Sequence, residues 1–289
     1  MCGICPRNCK VDRIKNAGYC RVPALPVVAK ACLHMWEEPC ISGSRGSGTV
    51  FFSGCNLKCV YCQNHDISQE CFGKEITISH LGQIFLRLKD KGAHNINLVN
   101  PTHYTHVIKE CLDTTKGLDI PVVYNSNGYE SITTLRSLEG YVNVYLPDFK
   151  YIDNETALKY SNAENYFEIA AQAISEMYRQ VGPLVLDEEG IIKKGLIIRH
   201  LILPGMASMS IKILDFIKEN LPGAAVSLMS QYTPYYRCEE FPEINRRITR
   251  REYEKVVNHF LKLDFENGYM QERDSASEKY IPDFNLEGV

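Results

Sequence analysis

One short stretch of this chain constrains its fold and chemistry more than any other, the segment Phe52-Ser-Gly-Cys-Asn-Leu-Lys-Cys-Val-Tyr-Cys-Gln-Asn64. It places Cys55, Cys59 and Cys62 in the spacing C-x3-C-x2-C. Three thiolates on one loop can hold three irons of a [4Fe–4S] cluster, whereas a fourth would close the cluster. The remaining iron then keeps an open position, as a catalytic zinc site does. The alternative, a loop of buried free thiols, fits the polar residues of this stretch less well.

A second group of cysteines lies at the start of the chain, where Cys2, Cys5, Cys9 and Cys20 follow the spacing C-x2-C-x3-C-x10-C. Basic residues among them favour the thiolate form that binds metals. Four cysteines suit either a tetrahedral zinc or a closed iron–sulfur cluster, and the spacing does not separate the two. We favour a second cluster, because an electron has to reach the first one. Cysteines that bind nothing are the third alternative.

Composition limits the class of protein. With 289 residues, 45% of them hydrophobic, the chain can form one sizeable core with an appendage. A net charge of −3 argues against a broad nucleic-acid surface. No apolar run is long enough to span a membrane, and no signal peptide pattern begins the sequence. We therefore expect a cytoplasmic protein, whose twelve cysteines indicate metal binding rather than disulfides.

From residue 49 onward, strand-like and helix-like segments alternate, which is typical of parallel α/β architecture. Six strand–helix units are predicted between residues 49 and 265, with a Cys-rich extension over 1–48 and a tail over 266–289 that packs back or is disordered. We also predict an N-cap at Ser79 and a hairpin over Val185–Lys194. The predicted strands are Thr49–Ser53, Asn95–Val99, Val122–Asn125, Val142–Leu146, Gly195–Leu203 and Ala225–Met229. The predicted helices are Ser79–Lys91, Thr105–Thr115, Ile132–Leu138, Asn154–Gln180, Ser210–Asn220 and Arg250–Lys262.

Charged residues follow two of these strands, at the edge where α/β barrels place their active sites. Asp148 and Lys150 can hold the opposite charges of a zwitterion, although a solvent-facing ion pair is the simpler alternative. Arg199 and His200 stand among Ile and Leu, where burial without partners would be costly. We therefore predict that Arg199 clamps a carboxylate and that His200 donates a hydrogen bond near the reacting centre.

Short polar residues follow three other strands, and they predict close contact with a ligand. For the Asn125–Gly128 stretch, the alternative is an ordinary Asn-Gly turn. His103 and His106 are better explained as polar residues at the start of a helix than as metal ligands. Glu37 and Glu38 are pocket candidates, but a solvated loop beside Trp36 is favoured for them. The polar candidates are Asn100, Thr102, Asn125, Ser126, Asn127 and Gln231.

The stretch Cys55-Asn-Leu-Lys-Cys-Val-Tyr-Cys62 resembles the signature of the radical S-adenosylmethionine (SAM) superfamily. The wider Cys62-Gln-Asn64 context resembles activating enzymes of glycyl radical enzymes. From Cys5-Pro-Arg7 to Ile281-Pro-Asp283, the chain is similar to a largely uncharacterised branch labelled as pyruvate formate-lyase activating proteins. The resemblance implies a partial (β/α)6 radical SAM barrel that binds a [4Fe–4S] cluster and SAM.

The resemblance also implies roles for the candidate residues. Tyr61 would lie near the adenine of SAM, and Asp148 and Lys150 near its methionyl group and the substrate. The Gly-Gly-Glu motif that usually binds the SAM amino group is absent, so Asn100 and Thr102 are its expected substitutes. Asn125 stands where activating enzymes have an acid, which removes the ligand of a cation site. The expected SAM contacts are Tyr61, Asn64, Asn100, Thr102, Asn125, Ser126, Asn127 and Gln231.

The expected activity is reductive cleavage of SAM to a 5′-deoxyadenosyl radical that abstracts hydrogen from a substrate. The first expected target is a glycine of a partner glycyl radical enzyme, and the second is a peptide or small metabolite. A flavodoxin or ferredoxin would supply the electron, and neither nucleic acid nor membrane is an expected partner. The alternative from another class is a non-catalytic iron–sulfur or zinc module that binds a partner.

Overall fold

The computed structural model describes residues 1–271 and 282–289, which form a ten-stranded mixed sheet with helices packed on it. The strands are β1 Val27–His34, β2 Ser47–Phe52, β3 Lys74–Glu75, β4 Ile96–Val99, β5 Val122–Ser126, β6 Val144–Pro147, β7 Val185–Leu186, β8 Ile192–Leu201, β9 Ala225–Met229 and β10 Gly268–Met270. The helices are α1 Pro39–Ser42, α2 His65–Ser68, α3 Ile78–Asp90, α4 Thr105–Thr114, α5 Ile132–Ser137, α6 Asn154–Ser161, α7 Tyr166–Val181, α8 Ala207–Asn220 and α9 Arg250–Leu263.

Nine of the ten strands follow the order β10-β9-β8-β6-β5-β4-β2-β1-β3, and β7 pairs with β8 beside this path. The central strands are parallel. β10 continues the parallel arrangement beside β9, whereas β1 runs antiparallel to β2 and β3. In the described part of the chain, β10 and β3 are the two edges and do not pair with each other. This is the open α/β barrel that six strand–helix units predict, with extra strands at each edge.

The short helix α1 occupies the inside of the curved sheet. Its Ile41 is fully buried and packs with Val123, Val144 and Ile197, which come from three neighbouring strands. The helices α3 to α9 cover the outer face, where amphipathic stripes such as Leu81, Ile84, Phe85 and Leu88 bury their apolar side. The inside of the barrel is therefore filled from the end opposite the cysteine loop.

The predicted strands agree with the structure to within three residues at each end, and Ala225–Met229 agrees at both ends. The hairpin over Val185–Lys194 is confirmed by the antiparallel pairing of β7 with β8. The N-cap prediction was wrong: Thr77 rather than Ser79 caps α3, because its side chain accepts a hydrogen bond from the backbone N–H of His80. None of the helices in the described residues is long and apolar enough to cross a membrane.

The predicted helix Asn154–Gln180 was also wrong, since two helices, α6 and α7, occupy this range. Asn162 and Asn165 between them adopt left-handed conformations, with φ of 49° and 50°. A left-handed residue ends an α-helix, and asparagine tolerates this conformation better than most residues.

The two terminal segments also contribute to the sheet. Val27–His34 of the N-terminal extension is strand β1, and the backbone N–H of Leu286 donates to the carbonyl of Ala29. Gly288, with φ of 74°, lies so close to this strand that a Cβ would stand 2.1 Å from the carbonyl oxygen of Ala31. The described end of the tail therefore packs along β1, while most of its polar stretch, 272–279, and the anchor residues Tyr280 and Ile281 lie outside the described residues.

Candidate active site

The loop between β2 and α2 carries Cys55, Cys59 and Cys62, and all three side chains line one cavity of about 260 Å³. Gly54 starts the loop with φ of 83°, and a Cβ here would stand 2.6 Å from the carbonyl oxygen of Cys20. The loop is held from below by α6, since the N–H groups of Lys58 and Val60 donate to the carbonyls of its last two residues. The three predicted cysteine ligands are thus brought together at the C-terminal end of β2.

Each of the three sulfurs has a polar neighbour. The hydroxyl of Ser161 lies 3.0 Å from the sulfur of Cys59, and the hydroxyl of Ser68 lies 3.1 Å from that of Cys62. The N–H of Leu57 donates to the sulfur of Cys55 at 3.3 Å. Burial raises the pKa of Cys55 to about 12 and that of Cys62 to about 11. These donors are arranged to stabilise thiolates that a positively charged partner would create.

Three charged residues at the ends of β6 and β8 face the same cavity. Lys150 Nζ lies 2.7 Å from one oxygen of Asp148, and the guanidinium of Arg199 lies 3.0 Å from the other. Burial alone would raise the pKa of Asp148, but the Lys150 and Arg199 charges hold it below its usual value. Asp148, Lys150 and Arg199 are therefore charged, side by side and mostly buried.

Glu37 joins this network from the segment between β1 and α1. One of its carboxylate oxygens lies 3.3 Å from Arg199, and the other accepts a hydrogen bond from Asn97 at 3.0 Å. The sequence interpretation favoured a solvated loop here and was wrong, because α1 enters the barrel and carries Glu37 with it. The sequence signal for this placement was weak: it consisted of two adjacent acids, Glu37 and Glu38, directly before the proline that begins α1.

Most of the other residues predicted for this site also line the cavity. The exceptions are Thr102 and His200. Thr102 is buried in the 3-10 turn after β4, where its hydroxyl donates to Glu130 at 2.6 Å. Thr102 therefore does not line the cavity, contrary to the prediction. The predicted cofactor contacts that do line the cavity are Tyr61, Asn64, Asn100, Asn125, Ser126, Asn127 and Gln231.

His200 also points away from the cavity, contrary to its predicted role. Successive side chains of a strand face opposite sides of the sheet, so Arg199 in β8 points inward and His200 outward. Its ring nitrogens lie 2.7 Å from the carbonyl of Phe149 and 2.8 Å from the hydroxyl of Ser210. Burial lowers the pKa of His200 to about 4. His200 is a hydrogen-bonded core residue that ties β8 to α8.

The four N-terminal cysteines lie close together, on a segment that packs against the cysteine loop. Cys5 and Cys20 are buried, and the neighbouring thiols reinforce the burial that raises the pKa of Cys5 to about 12. Arg7 links the two segments, since its Nε donates to the carbonyl of Asn56 at 2.7 Å and its guanidinium lies 4.0 Å from the ring centre of Tyr19.

Comparison with known proteins identifies the class to which this fold and site belong. The radical SAM superfamily model matches residues 49–185. An uncharacterised protein of Methanocaldococcus jannaschii is 38% identical over 266 residues, which cover 89% of this chain and 73% of that protein. A pyruvate formate-lyase-activating enzyme of Clostridium pasteurianum is 27% identical over 115 residues, or 37% of this chain and 46% of that enzyme.

Solved structures support the fold. Streptococcus suis SuiB bound to its precursor peptide SuiA superposes with a TM-score of 0.53 at 16% identity, covering 75% of this chain and 46% of that chain. The FeFe-hydrogenase maturase HydG from Carboxydothermus hydrogenoformans gives 0.52 at 14% identity, covering 81% and 56%. The chain thus spans about half the length of the solved structures it matches.

The described residues thus form an open α/β barrel with three cysteines after its first parallel strand. Residues 49–185 match the radical SAM superfamily, whose members use a [4Fe–4S] cluster, SAM and a reductant.

The residues of the site fit such a cluster. Among the described residues, Cys55, Cys59 and Cys62 are the cysteines that line the cavity, so one iron would have no cysteine ligand. Within residues 1–271 and 282–289, no group of three or more His, Cys, Asp or Glu side chains is spaced for a single metal ion.

Proposed function

We propose that this chain is a radical SAM enzyme in which Cys55, Cys59 and Cys62 bind the cluster and the adjoining cavity binds SAM. The observation that carries this proposal is that three cysteines line the same cavity as the buried charges of Asp148, Lys150 and Arg199. When bound, the cluster would supply one electron to split SAM into methionine and a 5′-deoxyadenosyl radical, which would remove a hydrogen atom from the substrate.

The chain's own residues would bind, orient and shield these groups. Lys150 and Arg199 are cations suited to a carboxylate, and Asp148 is an anion suited to an ammonium group. Tyr61 is buried, and its hydroxyl lies 2.5 Å from that of Tyr151 below the cavity. This buried pair would help to keep water out of the site, as a reactive radical requires.

The first proposed target is a glycine in a partner glycyl radical enzyme. The similarity to the pyruvate formate-lyase-activating enzyme of Clostridium pasteurianum supports this target. The second candidate is a small metabolite or a peptide side chain. A second cavity that shares Arg199, Met229 and Gln231 with the first favours it, because a small group could enter there.

The test is anaerobic reconstitution with iron, sulfide, SAM and a reductant, followed by measurement of 5′-deoxyadenosine. Wild type should release it, and Cys59→Ala should lower the rate by more than about 100-fold, since loss of even a second-shell partner costs 10–100-fold. Cys32→Ala is the matched control, because Cys32 lies on β1 outside the cavity and should leave the rate unchanged.

Two results would reject the proposal. One is the absence of 5′-deoxyadenosine from a wild-type protein whose cluster is intact by absorbance and iron content. The other is equal activity in Cys59→Ala and Cys32→Ala. The target is tested separately, by following deuterium from labelled candidate substrates into 5′-deoxyadenosine.

A further inference from the structure

A second cavity, also of about 260 Å³, lies beside the cysteine-lined one, on the side of β9 and β10. Arg199, Met229 and Gln231 line both cavities, so the two are neighbours across these side chains. The wall of the second cavity is completed by the segment before α1, including Glu37 and Glu38, and by residues of β10. A group bound here would lie next to the proposed SAM site.

Glu38 is the residue of this wall with unsatisfied hydrogen-bonding capacity. Its exposed fraction is 8%, and its Oε2 accepts no hydrogen bond from any described residue. Burial raises the pKa of Glu38, and the Arg199 charge and the Ser227 hydroxyl only partly oppose this. A buried carboxylate oxygen without a donor is costly, so a donor supplied by a ligand would be bound favourably.

Acidic side chains also outnumber basic ones around the cavity. Arg199 is already engaged by Asp148 at 3.0 Å and by Glu37 at 3.3 Å, and Lys150 is engaged by Asp148 at 2.7 Å. Within the described part of the chain, Glu38 therefore has no basic side chain of its own. A cationic group bound in the second cavity, which Glu38 lines, would favour the ionised form of this carboxyl group.

We propose that the second cavity binds a cationic group of the substrate, an ammonium or a guanidinium, with Glu38 as its acceptor. This inference rests on the proposed function, since it names the chemistry of the substrate that the radical would attack. The cation can belong to a small amine or guanidine, or to a lysine or arginine side chain. A charge-assisted hydrogen bond to the Glu38 carboxylate would fix its position beside Arg199 and Met229.

The test is calorimetric titration of the reconstituted, SAM-loaded enzyme with n-butylammonium, n-butylguanidinium, N-acetyl-lysine amide, and valerate as the anionic counterpart. We expect at least one of the three cations to bind and valerate not to bind. Glu38→Gln should weaken the binding of that cation by at least about tenfold, because the charge-assisted bond is lost. Glu219→Gln, at an exposed position on α8, is the matched control and should bind like wild type.

A second variant keeps the test decisive if Glu38→Gln does not fold. Met270→Lys places an internal ammonium at the rim of the cavity, where Met270 is 43% exposed, and should displace the cation by competition. Met270→Leu should bind like wild type. Binding by the alkyl cations supports a small substrate, and binding by the lysine derivative alone supports a side chain of a peptide.

The inference is overturned if no cation binds, if valerate binds as well as the cations, or if Glu38→Gln and Met270→Lys both bind with unchanged affinity. It is separable from the proposed function. Wild type that releases 5′-deoxyadenosine but binds no cation would overturn the inference alone. Wild type that binds a cation through Glu38 but releases no 5′-deoxyadenosine would overturn the proposed function and leave a cation-binding cavity.

Discussion

At the scale of single residues, Glu130 is a buried carboxyl group that lies outside the proposed ligand cavities. It is 1% exposed, and its carboxyl group accepts hydrogen bonds from Thr102 at 2.6 Å and Tyr124 at 3.4 Å. Burial outweighs these bonds and raises the pKa of Glu130 from 4.5 to about 7. The folded state therefore holds a proton that the unfolded state releases, and this group makes the free energy of unfolding fall as pH rises from about 4.5 to 7.

Glu130→Gln should remove this dependence, because glutamine keeps an acceptor for Thr102 without a titrating proton. The wild type should lose on the order of 2–3 kcal/mol more stability than the variant across that pH range. Urea unfolding at pH 5 and pH 7.5 measures the difference, with the exposed Glu219→Gln as control. If Glu130→Gln shows the same pH dependence as wild type, the assignment to Glu130 is wrong.

At the scale of elements, the strands and helices that depend on hydrophobic periodicity were predicted correctly, whereas a helix break that depends on contacts with the cysteine loop was missed. The strands and the stripe of α3 follow from alternation and helical spacing, and both were correct. The break between α6 and α7 follows no such pattern. It exists where the carbonyls of Tyr160 and Ser161 accept hydrogen bonds from the cysteine loop at 2.9 and 3.0 Å, and these long-range contacts are not readable from local sequence.

The same distinction explains the site residues. That the three cysteines line one cavity was predictable because their spacing is local. That Arg199 has a charged partner was predictable because a charge among apolar residues needs one, while its role as a carboxylate clamp stays a prediction. His200 is also a polar residue among apolar ones that needs hydrogen-bond partners, but its partners, Phe149 and Ser210, lie on the outer face of the sheet. Glu37 could not be placed, since its role depends on α1 entering the barrel.

The N-terminal segment is the element whose chemistry is most open to test. Its Cys5 and Cys20 are buried, and Arg7 and Tyr19 connect it to the cysteine loop, which an electron would have to reach. We therefore expect an iron–sulfur cluster on Cys2, Cys5, Cys9 and Cys20 that passes electrons to the proposed site. The double variant Cys5→Ser/Cys9→Ser should lose part of the iron and sulfide, keep the rest, and release 5′-deoxyadenosine more slowly. A loss of zinc instead would assign the other metal, and unchanged metal content would eliminate this site.

At the scale of the whole molecule, the parts outside the barrel strands converge on the cysteine loop. The N-terminal segment packs on its outer side, and α1 with Glu37 reaches the cavity from inside the barrel. The end of the chain packs along β1, where the N–H of Ala31 donates to the carbonyl of Glu287 at 2.8 Å. Since β1 pairs with β2 and β2 leads into the cysteine loop, the tail supports the strand on which the site depends.

Phe284 tests this support. Its ring packs edge-on against Phe51 of β2, with ring centres 5.5 Å apart, and Phe51 packs on Ile67, which lines the cysteine cavity. Phe284→Ala should lower the free energy of unfolding by about 1–2 kcal/mol, because it removes a partly buried aromatic contact. It should also weaken SAM binding, since the cavity wall loses its backing. Urea unfolding and SAM titration measure the two effects, with the exposed Asp283→Ala as control. If both variants match wild type in stability and SAM affinity, the tail does not support the site; if only stability falls, it supports β1 without shaping the cavity.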